Sequence, residues 1–158
     1  MAGIEDVRRH EVELLWVDHG SELVRFATML VGPAEGPDIA VDAFLRASGP
    51  ASDPAIVDPR AYLFRAVLNR ARDLRRANER RWRRDLAAVG PASADAPDTF
   101  IDVRVAVSSL SLAQRSVIYF IYWHDHTETQ TAELLGVSLG TVRRHLVRAR
   151  DHLRKALR

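Results

Sequence analysis

The stretch from Thr127 to Arg158, TETQTAELLGVSLGTVRRHLVRARDHLRKALR, constrains this chain most, because its punctuation leaves room for two short helices and a tight turn. Thr127 and Gln130 stand in the Ser/Thr-x-x-Glu/Gln relation of a capping box, which gives a first helix partners for its free N–H groups. Gly136 ends that helix, since glycine takes the left-handed conformation at a helix C-terminus without a side-chain penalty. Ser138 is a good N-cap for the next helix. From there Val142, Leu146, Ala149, Leu153 and Ala156 recur at alternating steps of four and three, which predicts one buried face.

The other face is basic. Arg143, Arg144, His145 and Arg148 project outward near the start of the second helix, where a helix-turn-helix presents side chains to base edges in the major groove. Arg150, Arg154, Lys155 and Arg158 carry the charge on toward the C-terminus, where it suits both the helix dipole and DNA phosphates. A charge run alone is most often a solvated surface. Here caps, turn glycine, apolar stripe and basic face all agree, and that agreement points to DNA.

The rest of the composition excludes other classes. Among 158 residues there is no cysteine, so disulfides, thiolate nucleophiles and cysteine-ligated zinc are ruled out. His124-Asp125-His126 is expected to be a polar turn, because alternating residues at a helix junction rarely converge on one ion. Ser138 and His145 lie two helical turns apart, too far for a nucleophile and its base, and no glycine-rich phosphate loop is present. No catalytic residue, no metal and no cofactor is expected, and the chain is not expected to be an enzyme. No window approaches the apolar run of about 20 residues that a membrane span needs, and the N-terminal MAGIEDVRRHEVE is unlike a secretory signal, so a cytoplasmic location is expected. The net charge of +2 is modest, but basic residues cluster at Arg70–Arg84 and Arg143–Arg158 while acidic ones gather near the N-terminus and in the middle.

Read in order, Glu5 to Val17 predicts a first helix ending near His19-Gly20. Ser21 caps a second, in which Leu23, Phe26, Ala27 and Leu30 form an apolar stripe before Gly32-Pro33. Pro37 to Ala47 predicts a third, with Ile39, Ala40, Ala43, Phe44 and Ala47 on one face and Asp38, Asp42 and Arg46 opposite, as solvated surface or as a docking face. The proline-rich GPASDPAIVDP reads as a loop. Arg60 to Arg84 predicts a long helix with Leu63, Phe64, Val67, Leu68, Ala71 and Leu74 inward and a basic end around Trp82. Basic residues interleaved with Tyr62, Phe64 and Trp82 are what a surface for unstacked nucleic acid requires, although Phe64 falls on the apolar face and Tyr62 fits either role. Residues 86–100, small and proline-containing, predict a flexible linker. Beyond it come a short helix from Val103 to Leu110 and an apolar one from Ala113 to Trp123. The fold class is therefore all-α: two small helical domains, residues 1–85 and 101–158, the second a helix-turn-helix.

In this order DAFLRA (Asp42 to Ala47), PRAYLFRAVLNRARDLRR (Pro59 to Arg76) and AELLGVSLGTVRRHLVRARDHLRKAL (Ala132 to Leu157) carry a resemblance. The chain resembles a bacterial RNA polymerase sigma factor of the extracytoplasmic function class of the sigma-70 family, over nearly its whole length. The resemblance implies a region 2-like domain before the linker and a region 4-like domain after it. It implies that Asp38, Asp42, Phe44, Leu45 and Arg46 lie in the helix that docks on the clamp helices of the polymerase's largest subunit. It places the loop before Arg60, Tyr62, Asn69, and Arg72, Arg75 and Arg76 of the basic helix where the downstream promoter element is melted and read. Thr141, Arg143, Arg144 and Arg148 fall in the recognition helix for the upstream element. An anti-sigma factor is the implied regulator. The chain departs from the family pattern at Val41 (usually glutamine), Ser48 (commonly tryptophan), Tyr62 (frequently tryptophan), Ser111 (usually proline) and Thr131 (normally apolar, where the hydroxyl either weakens the core or bonds the preceding turn). The alternative is a LuxR-type helix-turn-helix regulator, which shares the look of LLGVSLGTVRRHL but would need a sensing front half that is not visible here.

Overall fold

Apolar residues at helical spacing drive every element of the molecule. The computed structural model describes residues 2–86 and 105–157. Among them, α1 is Ala2–Val31, α2 Gly36–Ala51, α3 Pro59–Leu86, α4 Leu112–Ile118, α5 Glu128–Leu135 and α6 Leu139–Ala156, with a helical turn at 105–108 and a π-helical turn, Tyr119–Trp123, running on from α4. No strand occurs among the described residues, so the all-α class is as expected. The expected linker beyond Leu86, the start of the helix expected from Val103, and the side chain of Trp82 lie outside the described residues.

In the front half the sequence places the core correctly and one boundary wrongly. Leu23, Phe26, Ala27 and Leu30 are fully buried, and α2 contributes Ile39, Ala40, Ala43, Phe44 and Ala47. Yet α1 runs unbroken through His19-Gly20, and Ser21 caps nothing. The reason is steric: a Cβ at Gly20 would sit 2.7 Å from the Trp16 ring, so the glycine clears space for tryptophan and does not stop the helix. Trp16 then reaches Phe44 of α2 with ring centroids 4.8 Å apart. At the α1–α2 corner a Cβ on Gly36 would lie 2.5 Å from Thr28 Cα, so the two backbones meet there. α2 extends beyond Ala47 to Ala51, carrying Pro50 inside its last turn.

The back half departs from a regular helix. The expected apolar helix to Trp123 changes to a π-helical turn at Tyr119. That wider turn buries the adjacent side chains Tyr119 and Phe120 while leaving Tyr122 and Trp123 exposed. Phe120 enters the front-half core. Its ring centroid lies 5.1 Å from both Phe26 and Phe64, which are themselves 5.1 Å apart. One cluster therefore spans both halves and includes Leu112, Tyr119, Phe120 and Leu134 together with the front-half residues. A smaller cluster, Val117, Ala132, Val142 and Leu146, holds the last two helices together.

Two arginines reinforce this junction in reciprocal fashion. Arg65 of α3 donates from Nε to Leu134 O at 2.8 Å and from a terminal nitrogen to Glu133 O at 2.6 Å, at the C-terminus of α5. Arg115 of α4 donates to Leu30 O near the end of α1, to Ser108 O, and to Leu110 O at 3.1 Å. Each guanidinium thus meets the carbonyls left over at a helix end, where the macrodipole also favours a cation.

Thr131 is fully buried and its hydroxyl has no hydrogen-bond partner among the described residues, so it does not bond the preceding turn. An unsatisfied buried hydroxyl carries a desolvation cost that valine, of nearly the same shape, avoids. Thr131→Val should raise unfolding stability by about 1 kcal/mol, read from the midpoint of urea denaturation; an unchanged or lower midpoint would mean that the hydroxyl is engaged.

Candidate nucleic-acid interface

The recognition element is built by caps. Thr127 Oγ1 accepts from Gln130 N at 3.1 Å while Gln130 Oε1 accepts from Thr127 N at 2.8 Å, closing the capping box at the start of α5. Gly136 ends that helix at φ 67°, ψ 35°, the left-handed conformation its place demands. Ser138 Oγ accepts from Thr141 N at 3.1 Å and starts α6. The same device appears upstream, where Ser111, standing in place of the family's proline, forms a capping box with Gln114 at the head of α4.

On α6, Val142, Leu146 and Ala149 are buried, Leu153 is partly buried, and Ala156, expected in the stripe, is exposed. The polar face is turned outward by that packing. Arg143, Arg144 and Arg148 are exposed. Arg143 Nε donates to Glu128 Oε2 at 2.8 Å, which fixes its stem against the first helix of the motif. Arg144 and Arg148 make no hydrogen bond or ion pair with the described residues, and so present free donors. Thr141 is partly buried, and its hydroxyl lies 2.9 Å from Ser138 Oγ, within the cap. His145 is partly buried; burial first, then the charges of Arg144, Arg148 and Arg72, hold its pKa below the ordinary imidazole value. Beside three cations it is a neutral ring at physiological pH.

The α3 candidates form a second basic face. Asn69 is exposed, and its Oδ1 accepts from Arg72 at 3.1 Å. Arg75 lies 3.5 Å from Glu79 on the next turn, and Arg76 is exposed. Tyr62 is partly buried and packs against the core, which leaves part of the side chain available. Arg72 contributes to the field at His145. The two basic faces, some seventy residues apart in sequence, therefore lie within electrostatic range of each other.

The α2 candidates divide. Leu45 is 70% exposed, Val41 is 40% exposed, and Asp38 and Arg46 are exposed, forming an apolar and charged ridge. Asp42 is held within the fold: Oδ1 accepts from Arg46 at 3.0 Å and Oδ2 from Arg70 of α3, and these bonds hold its carboxyl below the usual carboxylate range. Phe44 is 5% exposed and its ring lies against that of Trp16, so in the free chain it packs beneath the ridge.

Residues 100–153 match the sigma-70 region 4 family. No curated protein matches the chain. Among solved structures, the sigma factor RpoE in complex with the anti-sigma factor NepR from Bartonella quintana is similar at TM-score 0.69 and 22% identity, covering 92% of this chain and 95% of that one. CnrH in complex with the cytosolic domain of CnrY is similar at TM-score 0.62 and 27% identity, covering 92% of this chain and 86% of that one. The region 4 match and these two likenesses together support a sigma factor of the extracytoplasmic function class. The region 4 match takes in most of the capped helix pair described above, and the fold is shared with those sigma factors over 92% of the chain.

Sequence reasoning missed Glu22, Arg60, Arg65 and Arg115, whose contacts are long-range and leave no local signature. At the turn, Gly136 is both left-handed and crowded: a Cβ there would lie 3.0 Å from the Arg65 guanidinium. Gly136→Ala should therefore cost about 1 to 2 kcal/mol of stability from backbone strain, with a further loss of Arg65 contact, measured by thermal or urea unfolding of the full chain.

Proposed function

We propose that this sigma factor binds core RNA polymerase through α2, reads and melts the downstream promoter element with α3, and reads the upstream element with α6. In this reading residues 1–85 and 101–158 act as separate functional units, and an anti-sigma factor regulates them in the cytoplasm. The observation that carries the proposal is the exposed, unpartnered pair Arg144 and Arg148 on a helix whose start is fixed by Ser138 and whose opposite side is fully buried. Such a helix offers rigid cationic forks to guanine edges and phosphates. The Leu45 ridge on α2 supports polymerase docking, because a large apolar side chain at 70% exposure flanked by Asp38 and Arg46 is a surface that gains from being covered.

An anti-sigma partner is supported by a groove of about 780 Å³ between α1 and the back half, lined by Val24, Met29, Tyr119 and the exposed Trp123 with Arg25 and Arg115 at its edge. Its chemistry suits an amphipathic helix with acidic flanks. RpoE was solved with such a regulator, an anti-sigma factor, bound. Among the described residues no helix is long and apolar enough to cross a membrane.

Binding energy from phosphates and base edges would offset the few kcal/mol of unstacking that opens a duplex, with no bond made or broken by the protein. Run-off transcription with purified core polymerase on genomic fragments tests the whole reading: promoter-specific transcripts are expected, and none would overturn it. Arg144→Ala should weaken specific duplex binding by about 1 to 3 kcal/mol if it reads a base, against a smaller, sequence-independent loss if it touches phosphate, as measured by fluorescence anisotropy. Leu45→Asp should lower affinity for core polymerase by at least about tenfold, some 1.4 kcal/mol, while circular dichroism remains that of the native chain; native affinity would remove α2 from the docking surface.

A further inference from the structure

The junction between the halves contains two histidines that the functional reading leaves unused. His124 and His126 follow the π-helical turn, with Asp125 between them in the left-handed region at φ 50°, a conformation that a short polar side chain tolerates. Both rings stack into the aromatic cluster: His126 lies 5.6 Å from Phe120 and 6.0 Å from His124, and His124 lies 4.8 Å from Tyr119. His124 Nδ1 sits 3.2 Å from Glu22 Oε1 across the junction. On each ring the other chemistry is unmet, because His124 Nε2 and His126 Nδ1 are buried without a partner.

Glu22 is shared between Arg60 and His124, and its pull on His124 is outweighed by burial. Arg60 already donates to both its oxygens, at 3.2 Å and 2.7 Å. Burial raises the Glu22 pKa, but the Arg60 bonds and charge, with His124 and His19, outweigh it and leave the carboxyl lowered. The charged and titratable groups facing the two rings are therefore His19, Glu22 and Arg25 on α1, Arg60 on α3, and Tyr119 and Asp125 on their own segment. Burial, with Glu22 next, pushes the Tyr119 phenol up to about 12, so it is uncharged throughout the physiological range.

We propose that His124 and His126 form a proton-sensitive latch: neutral, they let the two halves of the sigma factor close on the Phe26–Phe64–Phe120 cluster, and protonated, they drive the halves apart. Adding a proton places a new N–H on a buried nitrogen that has no acceptor, beside the Arg60 cation, and water reaches those two nitrogens only when the junction opens. Burial, ahead of the Glu22 attraction for His124 and ahead of Arg60 for His126, lowers both pKa values in the closed form. The open form has the ordinary value of about 6.5 and so binds more protons as pH falls below it. Closure is then full above about pH 6.5 and is lost as pH falls toward the lower closed-form values. The consequence for transcription, release of two DNA-binding faces in acid, rests on the proposed promoter reading; the latch itself does not.

Small-angle scattering of the full chain without DNA, from pH 7.5 to 5, tests it. The radius of gyration should rise by roughly a third or more as two bodies of about 80 residues separate, while far-UV circular dichroism keeps its helical amplitude. The double variant His124→Gln, His126→Gln should stay compact through the same range. Imidazole proton resonances of the unmodified chain provide a second reading: the assigned His124 and His126 signals should titrate below the ordinary value, and return to it in Arg65→Glu, which breaks the junction from the other side. A constant radius of gyration, an expansion equal in the double variant, or ordinary titration of His124 and His126 would each overturn the latch. Failure of run-off transcription with an intact pH-dependent expansion would overturn the promoter reading alone.

Discussion

The insertion of Phe120 between Phe26 and Phe64 is the contact on which the arrangement of the molecule depends. Three rings at mutual centroid distances of 5.1 Å, one from the back half and two from the front, turn two helical units into one packed body. Burying a phenylalanine is worth about 1.5 to 3 kcal/mol, and edge-to-face geometry such as the 81° between Phe64 and Phe120 adds to it. The cost is local and polar. The same π-helical turn that aims Phe120 inward also buries the Tyr119 hydroxyl without a partner. The junction is thus favourable in area and unfavourable in satisfied polar groups, which leaves it neither loose nor irreversible.

The arginines explain why closure has one register. A hydrophobic cluster alone is nondirectional, whereas Arg65 must find Glu133 O and Leu134 O at the end of α5, and Arg115 must find Leu30 O at the end of α1. Planar forks on fixed carbonyls specify orientation in a way that lysine would not. Closure also brings Arg72 of α3 into the field of His145 on α6, where Arg144 and Arg148 stand nearby.

The local features were legible because their causes are local. The Thr127 and Ser138 caps, the left-handed Gly136 and the stripe of α6 each follow from residues within one or two turns, and they appear as expected except that the stripe ends before Ala156, which is exposed. Gly20 was misread because glycine breaks a helix by propensity but serves one when a neighbour needs its space, and only the fold brings the Trp16 ring over it. Phe44 showed apolar periodicity and belonged to the segment that the resemblance assigns to docking at once; in the free chain it is buried against Trp16. His124-Asp125-His126 was expected to be a polar turn, and it is a turn, but nothing in its neighbours in sequence announces that Glu22, a hundred residues earlier, comes within 3.2 Å of it. The functional face of α6 was readable; the junction that governs its position was not.

If α3 and α6 engage separate promoter elements, the closed arrangement matters to the energetics of binding as well as to its geometry. DNA that contacts both faces in register selects whichever arrangement presents them at the separation of its elements, and its apparent affinity falls by the fraction of molecules not in that arrangement. A partner filling the groove beside Tyr119 and Trp123 would bind the closed form and lower that fraction. Core polymerase, docking on the Leu45 ridge far from the junction, would raise it only by contacting the halves differently when open and closed. On the proposed reading, activation is a competition over Phe120, in which a ligand acts to the extent that it changes how often that ring leaves Phe26 and Phe64.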